Sequence, residues 1–96
     1  MEILVTYDVA TDTAAGRKRL RKVAQICEDY GQRVQKSVFE CTINPVHFEI
    51  MLSRLLNLIN PDEDSIRIYR LREPKDRYVQ EYGIYQSINF QEPLVL

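Results

Sequence analysis

The chain predicts an α+β fold, on three observations. Short segments with strand-like alternation of apolar residues exchange places with longer segments carrying helical stripes. Their order is strand, helix, one strand or two, helix, strand, which is the split βαβ pattern of ferredoxin-like βαββαβ sandwiches. The length, 96 residues, suits a single domain near the small end of what one core can stabilise alone, so pairing into a homodimer is expected to add burial. Apolar residues at 45% and charged residues at 28% fit a soluble globular protein and argue against disorder.

The first strand is Glu2-Ile3-Leu4-Val5-Thr6-Tyr7-Asp8-Val9. Side chains alternate along a strand, so Ile3, Val5 and Tyr7 share one face and Leu4, Thr6 and Asp8 the other. Both faces are largely apolar, which predicts a central strand covered on both sides, by helices on one and by a second copy of the chain on the other. Thr11-Asp12-Thr13 offers N-caps for a helix running to Asp29 or Tyr30, with Leu20, Val23, Ala24 and Cys27 on one face. Gly31 stands where a left-handed C-terminal cap would want glycine.

Residues Arg33 to Ile43 are rich in β-branched and aromatic side chains, long enough for two short strands or one bent one, with no Gly or Asn-Gly to mark a hairpin turn. Asn44-Pro45 starts a second helix, Asn as cap and Pro at the first helical position. Phe48, Met51, Leu52, Leu55 and Ile59 form its stripe, Asn60-Pro61 ends it, and Ser65 to Leu71 is a further strand. Pro74, Gly83 and Pro93 punctuate the remainder, where Val79 to Tyr85 and Leu94-Val95-Leu96 are candidate short strands. The terminal apolar tripeptide needs a sheet edge, on this chain or on a partner. Residues 1–96 thus read as one domain, with 78–96 as a C-terminal extension.

Several function classes are poorly supported. No apolar run is long enough to span a membrane, and the N-terminus lacks the basic and apolar regions of a signal peptide, so a cytoplasmic location is expected. Cys27 and Cys41 lack CxxC spacing and are expected as reduced, buried thiols. His47 is the sole histidine and starts a separate helix, where it should face solvent. Ser37 therefore has no triad and the chain no zinc site. The three glycines are isolated, with no phosphate loop among them. Core packing is the default for Tyr7, Phe39 and Tyr69.

Two features point further. The net charge is −1, yet seven of the 13 basic residues lie between Arg17 and Lys36, against Glu28 and Asp29 alone, while acids gather at Asp62-Glu63-Asp64. Arg17 with Arg21, and Lys18 with Lys22, are like-charged i,i+4 pairs, and they sit in the N-terminal half of their helix, where the macrodipole disfavours cations. Helix stability alone would favour acids there, so contact with a nucleic-acid backbone is the expectation, with a plain solvated helix face as the alternative. The second feature is Asp8, at the end of a buried strand. It either hydrogen-bonds the following turn or supplies a carboxylate to a hard divalent cation, with Asp12 and Glu40 as possible helpers or a symmetry mate as the second ligand.

Leu4-Val5-Thr6-Tyr7-Asp8-Val9 before a basic helix, then Tyr30-Gly31-Gln32-Arg33-Val34-Gln35-Lys36-Ser37-Val38-Phe39-Glu40, then Asp64 to Leu71, closely resembles the CRISPR-associated Cas-two family over about the first three quarters of the chain. The resemblance implies a ferredoxin-like homodimer in which a C-terminal strand pairs with the partner's sheet. It also implies Mg²⁺ or Mn²⁺ bound by Asp8 from both subunits, and phosphodiesterase activity on RNA or double-stranded DNA. Tyr7, Ser37 and Phe39 match family positions around the catalytic cleft. Arg33 matches too, and Arg17, Arg19 and Arg21 are the candidates for nucleic-acid contact. The family also serves as a non-catalytic, duplex-DNA-holding adaptor between Cas-one integrase dimers in spacer acquisition. Apart from the resemblance, a dimeric regulatory domain holding a small effector is a third reading.

Overall fold

The computed structural model describes residues 1–84. Strand β1 (Glu2–Asp8) leads to helix α1 (Ala14–Tyr30), the hairpin of β2 (Gln32–Gln35) and β3 (Val38–Thr42), helix α2 (Pro45–Leu58) and strand β4 (Ser65–Leu71), then one 3₁₀ turn at Lys75–Arg77. The four strands form one antiparallel sheet in the order β2-β3-β1-β4. That is the ferredoxin-like βαββαβ arrangement the element order predicts, with β1 central.

Both helices begin on the caps the sequence offers. The Thr13 hydroxyl accepts the Gly16 amide at 3.0 Å, and the Asn44 side chain accepts that of His47 at 2.8 Å, with Pro45 in the first turn. Gly31 closes α1 for a reason other than the expected one. Its φ is −157°, extended backbone open to any residue, and the chain here lies so close to the Glu40 carbonyl and the Cys41 sulfur that no Cβ fits. The residues Arg33 to Ile43 resolve into two strands. Their turn, Lys36-Ser37, uses no positive φ, since none of the described non-glycine residues has one. A register shift between Arg33 and Gln35 supplies the extra twist such a turn lacks.

The core lies between the sheet and the helices. Ile3, Val5, Tyr7, Phe39 and Cys41 from the strands meet Val23, Ile26 and Cys27 of α1 and Met51 and Leu55 of α2, all buried. Burial pushes the Cys27 thiol up to about 12 and that of Cys41 to about 11, and both are unpaired, as expected of inert core thiols. The reverse face of β1 is less covered than its apolar alternation suggested. Leu4 and Thr6 are half-buried and Asp8 is exposed. Tyr69, opposite Leu4 in the register, is 42% exposed and thus not a core residue. Part of that face is covered by the chain itself. A groove of about 210 Å³ lies between Leu4, Val38 and Glu40 of the sheet and the segment Val79 to Tyr82, and Lys75 fastens this segment through Glu40 at 3.0 Å. Residues 79–84 form no strand. The candidate strand at Leu94-Val95-Leu96 lies outside the described residues.

Candidate functional site

The site is built from the C-terminal end of β1. Tyr7 and Asp8 are adjacent, and strand geometry sends them to opposite faces. Tyr7 goes inward: its ring stacks on that of Phe39 with centroids 6.2 Å apart. Its hydroxyl donates to the Lys36 carbonyl at 3.4 Å and its amide to the Ser37 carbonyl at 3.1 Å. Burial raises the Tyr7 phenol above its ordinary range, opposed by the Arg33 guanidinium. Arg33 lies over the Phe39 ring at 5.1 Å and reaches Glu28 at 3.8 Å. Tyr7, Arg33, Ser37 and Phe39 therefore do come together, as a packed wall behind the strand end, with Tyr7 and Phe39 sealed from solvent.

Asp8 goes outward. It is exposed, opposite Ser65 of β4, and makes no hydrogen bond or ion pair among the described residues. Glu40, one of the suggested helpers, is not beside it. Glu40 pairs with Lys75 and stands opposite Leu4, four residues back along β1, roughly 13 Å at the strand rise. Asp12 is exposed in the following loop. Among the described residues no three His, Cys, Asp or Glu side chains gather as a metal-holding group. A hard cation such as Mg²⁺ needs one or two carboxylates, with water and phosphate oxygens completing its shell. An outward carboxylate on each of two copies fits that donor set.

The turn after β1 is fastened by a carboxylate that sequence reading did not single out. Asp64 is buried, and its Oδ1 accepts the Ala10 amide at 3.1 Å while its Oδ2 accepts the Asn60 amide at 2.9 Å. Its charge is met by Arg19, whose Nε lies 2.8 Å from Oδ2, and Arg19 Nη2 also reaches Glu63 at 2.9 Å. The Arg19 guanidinium, followed by the two amides, holds the Asp64 carboxyl below the usual carboxylate range. No local signal announces this pair, because 45 positions separate its members.

The rest of the basic helix remains available. Lys18, Arg21 and Lys22 are exposed without an ion pair among the described residues, and Arg17, also exposed, donates only to the Thr11 carbonyl at 3.1 Å. Arg19 differs from these four, since two acids already neutralise it. His47 is exposed in the first turn of α2, as expected. No helix among the described residues is long and apolar enough to cross a membrane.

The sequence profile of the family described as CRISPR associated protein Cas2 matches residues 1–79. A CRISPR-associated endoribonuclease Cas2 of Moorella thermoacetica is 62% identical over 96 residues, covering the whole of both chains. A CRISPR-associated endonuclease Cas2 of Halalkalibacterium halodurans is 45% identical, covering 99% of each. The crystal structure of Streptococcus pyogenes Cas2 superposes with a TM-score of 0.79 at 54% identity, over 86% of this chain and all of that one. With its sheet order, its outward aspartate at the end of β1 and these matches, the chain belongs to the CRISPR-associated Cas2 family.

Proposed function

We propose that this protein is a metal-dependent endonuclease of CRISPR defence, acting at the spacer-acquisition step and cutting phosphodiester bonds of RNA or double-stranded DNA. The observation that carries this reading is Asp8, an exposed carboxylate at the end of a central strand with no ion pair or hydrogen bond among the described residues, in a chain whose relatives are named endoribonuclease or endonuclease. Two copies would meet over the half-covered face of the sheet and bring their Asp8 side chains to one Mg²⁺ or Mn²⁺. A divalent cation held there supplies Lewis acidity to the phosphoryl group and acidifies the attacking water. Asp8 holds the negative charge that anchors the site. Arg17, Arg21, Lys18 and Lys22 hold the nucleic-acid backbone without reading its sequence. Tyr7, Phe39 and Arg33 form the rigid wall that keeps the strand end in place, with Ser37 at the hairpin tip. Among the described residues no general base is evident besides Asp8 itself, which fits a slow enzyme.

Purified wild type and Asp8→Ala, assayed on RNA and duplex DNA with and without Mg²⁺, test the reading. Cleavage should require the metal and vanish in the variant, which should remain folded. Equal cleavage by both proteins would sink it.

The exposed basic helix favours a second role, the duplex-DNA-holding adaptor between Cas-one integrase dimers. Reversing Arg17, Arg21 and Lys22 to Glu should then abolish integration in a reconstituted assay while Asp8→Ala leaves it intact. Loss with Asp8→Ala and not with the reversals would exclude the adaptor role.

A further inference from the structure

We infer that Asp64, held by Arg19, is a positioning residue for the Asp8 carboxylate, an inference that rests on the metal-site reading of Asp8. Among the described residues the Asp8 carboxylate makes no hydrogen bond or ion pair, so its direction is set by backbone on two sides. On one side it is paired with Ser65, the first residue of β4; on the other it runs through Val9 into Ala10. Asp64 touches both supports. It immediately precedes Ser65, and its Oδ1 holds the Ala10 amide at 3.1 Å, two residues after Asp8. Its Oδ2 holds the Asn60 amide at 2.9 Å, closing the α2–β4 connection onto the same point.

The loop after Asp8 is enclosed from the helix side as well. A side chain at Gly16 would collide with the Ala10 carbonyl, so α1 lies directly against that peptide. Arg17 takes the Thr11 carbonyl at 3.1 Å. Burying a carboxylate is costly unless it is paired and hydrogen-bonded, and Arg19 supplies the pairing charge at 2.8 Å. One arginine of the basic run thus serves the site from behind while its neighbours face solvent. Groups that orient a ligating side chain without touching the ion commonly change affinity by about 10- to 100-fold when lost. Acting through backbone, Asp64 belongs at the lower end of that range.

The test uses the full chain and Mn²⁺ alone, its binding followed by electron paramagnetic resonance in wild type, Asp8→Ala, Asp64→Asn and Arg19→Gln. Amide hydrogen exchange is followed in each, and duplex DNA is titrated at two salt concentrations. Wild type should bind Mn²⁺ and Asp8→Ala should not. Asp64→Asn should bind about ten-fold more weakly, with exchange faster at Ala10 and unchanged in the centre of the sheet. Arg19→Gln should shift in the same direction with its DNA salt dependence unaltered, and Arg19→Lys, which keeps the charge, should recover part of the affinity. Should Asp64→Asn fail to fold, the two Arg19 variants decide alone. Wild-type Mn²⁺ affinity in the folded Asp64 and Arg19 variants overturns the inference and leaves the role of Asp8 standing. So does a salt slope in Arg19→Gln reduced by about one phosphate contact at unchanged Mn²⁺ affinity, since Arg19 then binds backbone. Absence of Mn²⁺ binding in wild type overturns the metal reading itself, and this inference with it.

Discussion

The two faces of the sheet are made from alternate residues of the same strands, and they are built for different ends. Ile3, Val5, Tyr7 and Phe39 face the helices and are buried. Leu4, Thr6, Asp8 and Tyr69, one position along, line the other face, Leu4 and Thr6 half-buried and Asp8 and Tyr69 exposed. The helix-side face holds nothing charged from β1 or β3. The reverse face carries Asp8, the Glu40–Lys75 pair and Arg67 over the ring of Tyr69 at 5.1 Å. A period of two residues lets one strand be both a core element and a platform for chemistry. Stability and function in β1 can therefore be changed separately.

Phe39→Ala should show the largest effect, because its ring is fully buried and supports both Tyr7 and Arg33. Truncation of such a ring costs about 3–5 kcal/mol, transfer and cavity together, a large part of what a small domain has. Urea unfolding followed by circular dichroism should show the midpoint falling steeply, and a loss under 1 kcal/mol would mean that the core does not rest on this ring.

The contrast between the faces also shows what a linear sequence discloses. β1, α1 and α2 were legible because alternation, stripes and caps are local signals, and Thr13, Asn44 and Pro45 act as their types predict. The β2–β3 turn was not, because Lys36-Ser37 needs no positive φ and so carries no glycine. Gly31 was recognised as a stop but for the wrong cause, since a close approach by Cys41 leaves no trace in the residues beside it. The outward course of Asp8 follows from strand alternation alone. Arg19 could not be told from Arg17 and Arg21 by spacing, because what distinguishes it is Asp64, brought from another loop by the fold. Charge runs show where basic side chains are, and only tertiary contacts show which are occupied.

A smaller effect should come from pH, again confined to the helix side. Cys27 and Cys41 are pushed up to about 12 and about 11, chiefly by burial, whereas an unfolded thiol ionises near roughly 8.5. The folded state keeps these protons where the unfolded state loses them, so the thiols' contribution to stability is constant below the unfolded value and declines as pH rises above it. Unfolding midpoints should fall between about pH 8.5 and 10, and Cys27→Ala with Cys41→Ala should flatten that limb even as it lowers the plateau. Thiol labelling at pH 8 should be slow in the native protein and fast in urea. Rapid native labelling would contradict the burial of both sulfurs.

The smallest effect on a single chain should be at Tyr69, and it bears most directly on what the reverse face is for. Its ring is 42% exposed, and Arg67 lies over it in a cation–π contact worth about 0.5–1 kcal/mol at an exposed site. In dilute protein, Tyr69→Ala should shift stability by no more than that. Tyr69 nevertheless sits opposite Leu4, in line with Thr6 and Asp8 on the same face. If two copies join there to share a metal, the ring becomes buried against the partner and its removal should weaken pairing far more than folding. Sedimentation velocity over a range of concentrations separates the two. Wild type should dimerise, and Tyr69→Ala should need a markedly higher concentration to do so while its urea curve in dilute solution barely moves. A wild type that stays monomeric throughout would leave each Asp8 alone, and a shared metal site would go with it.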